Sequence, residues 1–89
     1  MTITAEEARA LVGKEIRRIV PDADVESLAP DADLRRTFEL DSLDFLGFVE
    51  LLVKDTGIRI DDDDYPALST MTACAEFLTS RSAARGGAS

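Results

Sequence analysis

Between Asp41 and Gly57 the chain has more apolar residues than one helical stripe can hold. Leu43, Leu46, Val49, Leu52 and Val53 recur at the spacing of a helix face, and Phe45, Phe48 and Leu51 widen that face around the axis. A helix of this kind either lies deep in a bundle or offers part of its surface to a partner. Asp41 stands where an N-cap belongs and Gly57 just past the end, so the pattern predicts a helix over 42–56. With 89 residues in all, the chain makes one small domain with little interior for a deep enclosed active site.

The flanking segments are also helical in pattern. Thr4-Ala5-Glu6-Glu7 reads as a capping box, followed by Ala8, Leu11, Val12, Ile16, Ile19 and Val20 at helical spacing until Pro21 stops the run. Glu15, Arg17 and Arg18 are expected to face outward. Residues 21–41 form a long connection that carries seven acidic and two basic side chains, a net −5. A connection of that length is either functional or pinned to the core, and Leu28, Leu34 and Phe38 are the expected pins. Ile58-Arg59-Ile60 reads as an extended linker with both isoleucines tucked in, and Tyr65-Pro66-Ala67-Leu68 as one short helical turn. Ser69 or Thr70 caps a last helix in which Met71, Cys74, Phe77 and Leu78 share a face. From Ser82 onward a Ser-, Ala- and Gly-rich tail is expected to be disordered, which gives a domain over 1–81 and a tail over 82–89. The fold expected is all-α: a small four-helix bundle of three main helices and one short one.

Composition narrows the function. The chain carries 18 acidic residues against 10 basic ones, a net charge of −8, which disfavours nucleic acid and anionic membranes and favours partners with basic surfaces. It has no histidine, the commonest general base and metal ligand, and no nucleophile–base pair can be assembled from what remains. The reading is therefore of a protein that is not an enzyme and has no metal site. One cysteine, Cys74, cannot form an internal disulfide, and no apolar run approaches the roughly 20 residues that span a bilayer. A cytoplasmic monomer without stable membrane insertion is expected.

The candidate site is Leu40-Asp41-Ser42-Leu43-Asp44, at the mouth of the apolar helix. Free backbone N–H groups and the positive end of the helix dipole favour a phosphate there. With no base of its own, Ser42 needs a partner enzyme for any covalent chemistry. Its other reading is an ordinary helix N-cap.

Asp41-Ser42-Leu43-Asp44 followed by a hydrophobic helix resembles the prosthetic-group attachment motif of acyl carrier proteins. The first helix, the acidic connection with Leu34, the motif, the helix ending near Gly57, Ile60, and Leu68-Ser69-Thr70-Met71 come in the order of that family, over roughly residues 4–80. The resemblance implies an acyl-carrier-like bundle. It implies that a phosphopantetheinyl transferase uses coenzyme A and Mg²⁺ to attach 4′-phosphopantetheine to the Ser42 hydroxyl through a phosphodiester. The arm's thiol then carries acyl groups as thioesters to fatty-acid, lipid or polyketide biosynthetic enzymes. By the same resemblance Asp41 and Leu43 contact the transferase, and the second helix is the main docking surface for acyl-processing enzymes with basic patches. Asp44, Phe45, Glu50, Asp61 and Asp62 are the docking residues expected on this chain.

The chain departs from the family where Gly47, Val53 and Lys54 replace acids expected on the second helix, while acids gather in the connection and at Asp61-Asp62-Asp63-Asp64. A specialised carrier with dedicated partners is inferred, since removing docking charges weakens the usual partners. An aminoacyl or peptidyl carrier and a non-covalent helical interaction module remain alternatives. The four-aspartate run lacks the spacing and turn glycine of a calcium loop and reads as a solvated acidic patch. Cys74 reads as a buried structural thiol. Gly47 marks either a close helix contact or an open surface. Phe38, Leu46, Phe48, Ile60, Tyr65 and Phe77 are candidates to line an interior that receives an acyl chain, or to form a close-packed core.

Overall fold

The computed structural model describes residues 3–87, with side chains through residue 83. In chain order the elements are α1 (Ala5–Ile19), α2 (Leu34–Thr37), α3 (Ser42–Thr56), a 3-10 helix η1 (Asp62–Leu68) and α4 (Met71–Gly87). The all-α bundle of three main helices is as expected. The four-residue α2 is an addition, inside the connection read as loop.

The capping box of α1 forms as read: Glu7 N–H donates to Thr4 Oγ1 at 3.1 Å, and Thr4 N–H to Glu7 Oε1 at 3.0 Å. Ala8, Val12 and Ile16 are fully buried as α1 packs along α4 and α3. Glu15 overturns its expected outward placement, for its side chain is fully buried too. It follows Leu11 by four residues and Val12 by three and precedes Ile19 by four, which centres it in the apolar stripe. Arg17 and Arg18 are exposed, as expected.

Leu34 pins the connection. It is fully buried, and its N–H donates to Ser69 O at 2.8 Å beside an isolated bridge between Asp33 and Thr70. Thr72 N–H adds a bond to Pro30 O at 3.1 Å. Leu28 and Phe38 are half-buried against the core. Asp33 then caps α2, its Oδ1 accepting from Arg36 N–H at 3.0 Å.

The phase of α3 differs from the expected one. Phe45, Phe48, Val49 and Leu52 are buried, while Leu43 and Leu46 are 78% and 40% exposed. An almost all-round apolar helix does not fix its own rotation, so its neighbours do. Ile19 Cδ1 lies 3.4 Å from where a Cβ on Gly47 would stand, which makes Gly47 a helix-contact position. Gly57 ends α3 in the left-handed conformation at φ 71°, its N–H donating to Val53 O at 2.8 Å.

Ile58 is buried and Ile60 half-buried in the linker. Thr70 caps α4, with Oγ1 accepting from Ala73 N–H at 3.0 Å. Cys74 is fully buried, its thiol donating to Leu68 O at 3.4 Å, and burial pushes its pKa up to about 12, so the sulfur is inert. Where a disordered tail was expected from Ser82, helical backbone continues to Gly87. Ser82 is buried, donates to Thr79 O at 3.1 Å and accepts from Ile3 N–H at 2.8 Å, which ties the two chain ends together. Residues 88 and 89 of that tail lie outside the described residues.

Two substitutions test this packing by urea unfolding. Leu34→Ala is expected to cost about 2–5 kcal/mol, the range for a large-to-small change at a buried site. Gly47→Ala is expected to stabilise by up to about 1 kcal/mol, because helix propensity improves and the Ile19 contact is of ordinary van der Waals length.

Candidate functional site

The start of α3 is fixed from both sides. Upstream, Glu39 adopts φ 53°, a left-handed conformation that costs a non-glycine residue about 1–2 kcal/mol. That bend lets Leu40 turn inward, where it is buried and its N–H donates to Arg35 O at 2.9 Å. Downstream, Asp41 and Asp44 form a reciprocal capping box: Asp44 N–H donates to Asp41 Oδ1 at 2.8 Å and Asp41 N–H to Asp44 Oδ2 at 3.4 Å.

Ser42 is the first residue inside the helix and is exposed. Asp41 holds the N-cap, which leaves the Ser42 hydroxyl free of any capping role. The N–H groups of Ser42 and Leu43 belong to the first turn and have no partner within the helix. Leu43 stands next to the serine in solvent, and Leu46 continues that apolar surface one turn on.

Phe45 corrects the expected docking set, because it is only 5% exposed. Its ring meets Tyr65 edge-on at 5.5 Å between centroids and Phe48 at 6.1 Å, and the Arg35 guanidinium carbon lies 5.2 Å from its centroid. This cluster is a foundation beneath the start of α3. Of the side chains considered for an acyl-receiving interior, Phe48 and Phe77 are buried, Phe38, Ile60 and Tyr65 half-buried, and Leu46 exposed.

The acids divide into structural and free ones. Asp64 accepts from Asp61 N–H at 3.0 Å and pairs with Arg81 at 2.9 Å; the Asp61 bond first, then Arg81 and Arg59, lower its pKa. Asp61 pairs with Arg59 at 3.1 Å. Glu50, Asp62 and Asp63 are exposed. The phenol of Tyr65 is held above its ordinary pKa by burial first, then by Asp62, with a smaller electrostatic push from Glu50. Among the described residues no group of three or more Cys, His, Asp or Glu is placed to share a metal ion, and no helix is long and apolar enough to cross a membrane.

Because Asp41 caps α3 and Ser42 does not, their alanine variants are expected to separate in thermal or urea unfolding. Asp41→Ala is expected to lose about 1 kcal/mol, the usual value of an N-cap. Ser42→Ala is expected to stay within about 0.5 kcal/mol of the native chain, as a surface change that breaks no bond.

The family model of the phosphopantetheine attachment site matches residues 9–78. Among solved structures, the chain is similar to the solution structure of an Anaplasma phagocytophilum protein assigned as an acyl carrier protein. That likeness has 26% identity and a TM-score of 0.78, over 92% of this chain and 96% of the other. No curated protein matches the chain significantly. The chain therefore belongs to the phosphopantetheine-attachment family, as a carrier of the acyl carrier protein fold whose cofactor is covalently attached 4′-phosphopantetheine.

Proposed function

We propose that Ser42 bears the phosphopantetheine and that the cargo is an acyl group, held for fatty-acid, lipid or polyketide biosynthetic enzymes. One observation carries the assignment to Ser42. It is an exposed primary hydroxyl at the start of a 15-residue helix, free of capping duty because Asp41 supplies the cap. A phosphodiester needs such a hydroxyl, and no internal base is required when a transferase provides activation and Mg²⁺ from outside. When bound, the group supplies a thiol at the end of a flexible arm, on which acyl groups ride as thioesters.

The chain's own residues then present the arm. Asp41 and Asp44 hold the helix start in register, and Leu43 and Leu46 offer an apolar grip beside the serine. Glu50 and Asp62 are exposed acids that add negative charge for a basic partner. A partner with an apolar slot flanked by Arg or Lys fits this arrangement, and phosphopantetheinyl transferase is the first such partner. A carrier with dedicated partners is the setting this supports.

The test is intact-mass measurement after incubation with coenzyme A, Mg²⁺ and a permissive phosphopantetheinyl transferase. The native chain is expected to gain one phosphopantetheine and Ser42→Ala none. Gain on both chains would move the attachment elsewhere. Gain on neither, with both folded, would favour a non-covalent interaction module.

A further inference from the structure

Glu15 is the most unusual side chain in the core. It is fully buried between α1 and its neighbours, and neither carboxyl oxygen finds a hydrogen-bond donor. The nearest cation, Arg18 Nη1, stands 3.9 Å from Oε1, beyond hydrogen-bond length. An ionised carboxylate left in that state is costly, since burial removes water without replacing its bonds.

Across the helix interface lies Asp55, in the last turn of α3, whose Oδ2 is 3.6 Å from Lys14 Nζ. Lys14 directly precedes Glu15, so its ion pair draws the Asp55 carboxylate to the stretch of α1 that holds Glu15, and two interacting carboxyl groups ionise together only at a penalty. A single proton resolves both difficulties: a neutral Glu15 donates its O–H to an ionised Asp55, which Lys14 also neutralises. We propose that Glu15 and Asp55 share one proton, and that this bond is a pH-operated latch between α1 and the far end of α3.

The energetics agree in direction on both partners. Burial first, then the Asp55 carboxylate, pushes Glu15 from 4.5 up to about 7, against the opposing pull of Lys14 and Arg18. The hydrogen bond from Glu15 first, then Lys14 and Arg18, lowers Asp55. α4, the other long helix packed on α1, adds the buried thiol of Cys74 to the same core, and that group stays neutral near pH 7. The charged groups of α4 within the described side chains, Glu76 and Arg81, are exposed, and Arg81 is engaged by Asp64.

The sign follows from proton counting. Between pH 4.5 and about 7 the folded chain keeps a proton on Glu15 that the unfolded chain has released, so stability falls as pH rises. The contribution is complete below 4.5 and gone above the folded value. Other carboxylates with lowered pKa values, Glu7 and Asp64, lose their contributions at lower pH and in the opposite direction. The latch is independent of what Ser42 carries.

Two measurements on the full chain test it. In the native protein, the side-chain carboxyl ¹³C resonance of Glu15 is expected to titrate with a midpoint near 7, and Asp55→Asn is expected to lower that midpoint. A midpoint between 4 and 5, or one that Asp55→Asn leaves in place, would overturn the shared proton. In urea unfolding from pH 5 to 8, the unfolding constant of the native chain relative to Glu15→Gln is expected to rise by up to tenfold per pH unit, levelling above pH 7. Parallel curves for the two proteins would overturn the latch. Should Glu15→Gln not fold, the resonance midpoint decides alone.

Discussion

The placement of α3 depends on how the connection before it is tied to the start of α4. Leu34 N–H on Ser69 O and Thr72 N–H on Pro30 O are contacts between segments far apart in sequence, and the buried Leu34 side chain locks them. Without this tie, residues 21–41 would leave α3 free to slide and rotate against α1. With it, α2 has a fixed origin, the left-handed bend at Glu39 turns Leu40 inward, and the chain emerges at Asp41 in position to cap α3. The exposed hydroxyl at Ser42 is the downstream consequence of a hydrophobic pin eight residues earlier. The strain at Glu39 is tolerated because bonds on both sides of it over-determine the turn.

Capping and periodicity made the long helices legible. The Thr4–Glu7 box, Asp41 before an apolar run, Gly57 after it and Thr70 before Met71 are local signals, and each formed as read. Features set by tertiary contact were not legible. Glu15 is a charged letter in a stripe whose spacing includes it, and a reading by residue type set it outside where position puts it inside. The rotation of α3 could not be read because nearly every face was apolar; Ile19 against Gly47 and Tyr65 against Phe45 decide it. The helical continuation past Ser82 is accompanied by a bond to Ile3, 79 residues away, which no local pattern encodes.

The same distinction reshapes the electrostatic reading of the site. By count, the region around Ser42 and η1 is strongly acidic, yet Asp41 and Asp44 spend their oxygens on the helix start, while Asp61 and Asp64 are engaged by Arg59 and Arg81. Glu50, Asp62 and Asp63 are exposed, and Leu43 and Leu46 form an apolar surface next to Ser42. Exposed ion pairs contribute on-rate and discrimination more than affinity. Burial of a side chain as exposed as Leu43 contributes on the order of 1.5–3 kcal/mol. The docking surface proposed for this carrier thus leans on shape and apolar contact more than its net charge implies.

A phosphate on Ser42 meets a similar balance. The helix dipole and the free N–H groups of Ser42 and Leu43 favour it, but Asp44 N–H is already taken and two carboxylates stand on either side. The helix start is therefore a weak anion site on its own and does not draw coenzyme A to the serine unaided. On the proposed attachment at Ser42, a modifying enzyme has to bring cations that offset Asp41 and Asp44. Under that proposal the arrangement suits a carrier, since a phosphodiester on Ser42 is not held down by its own protein and its arm is free to reach outward.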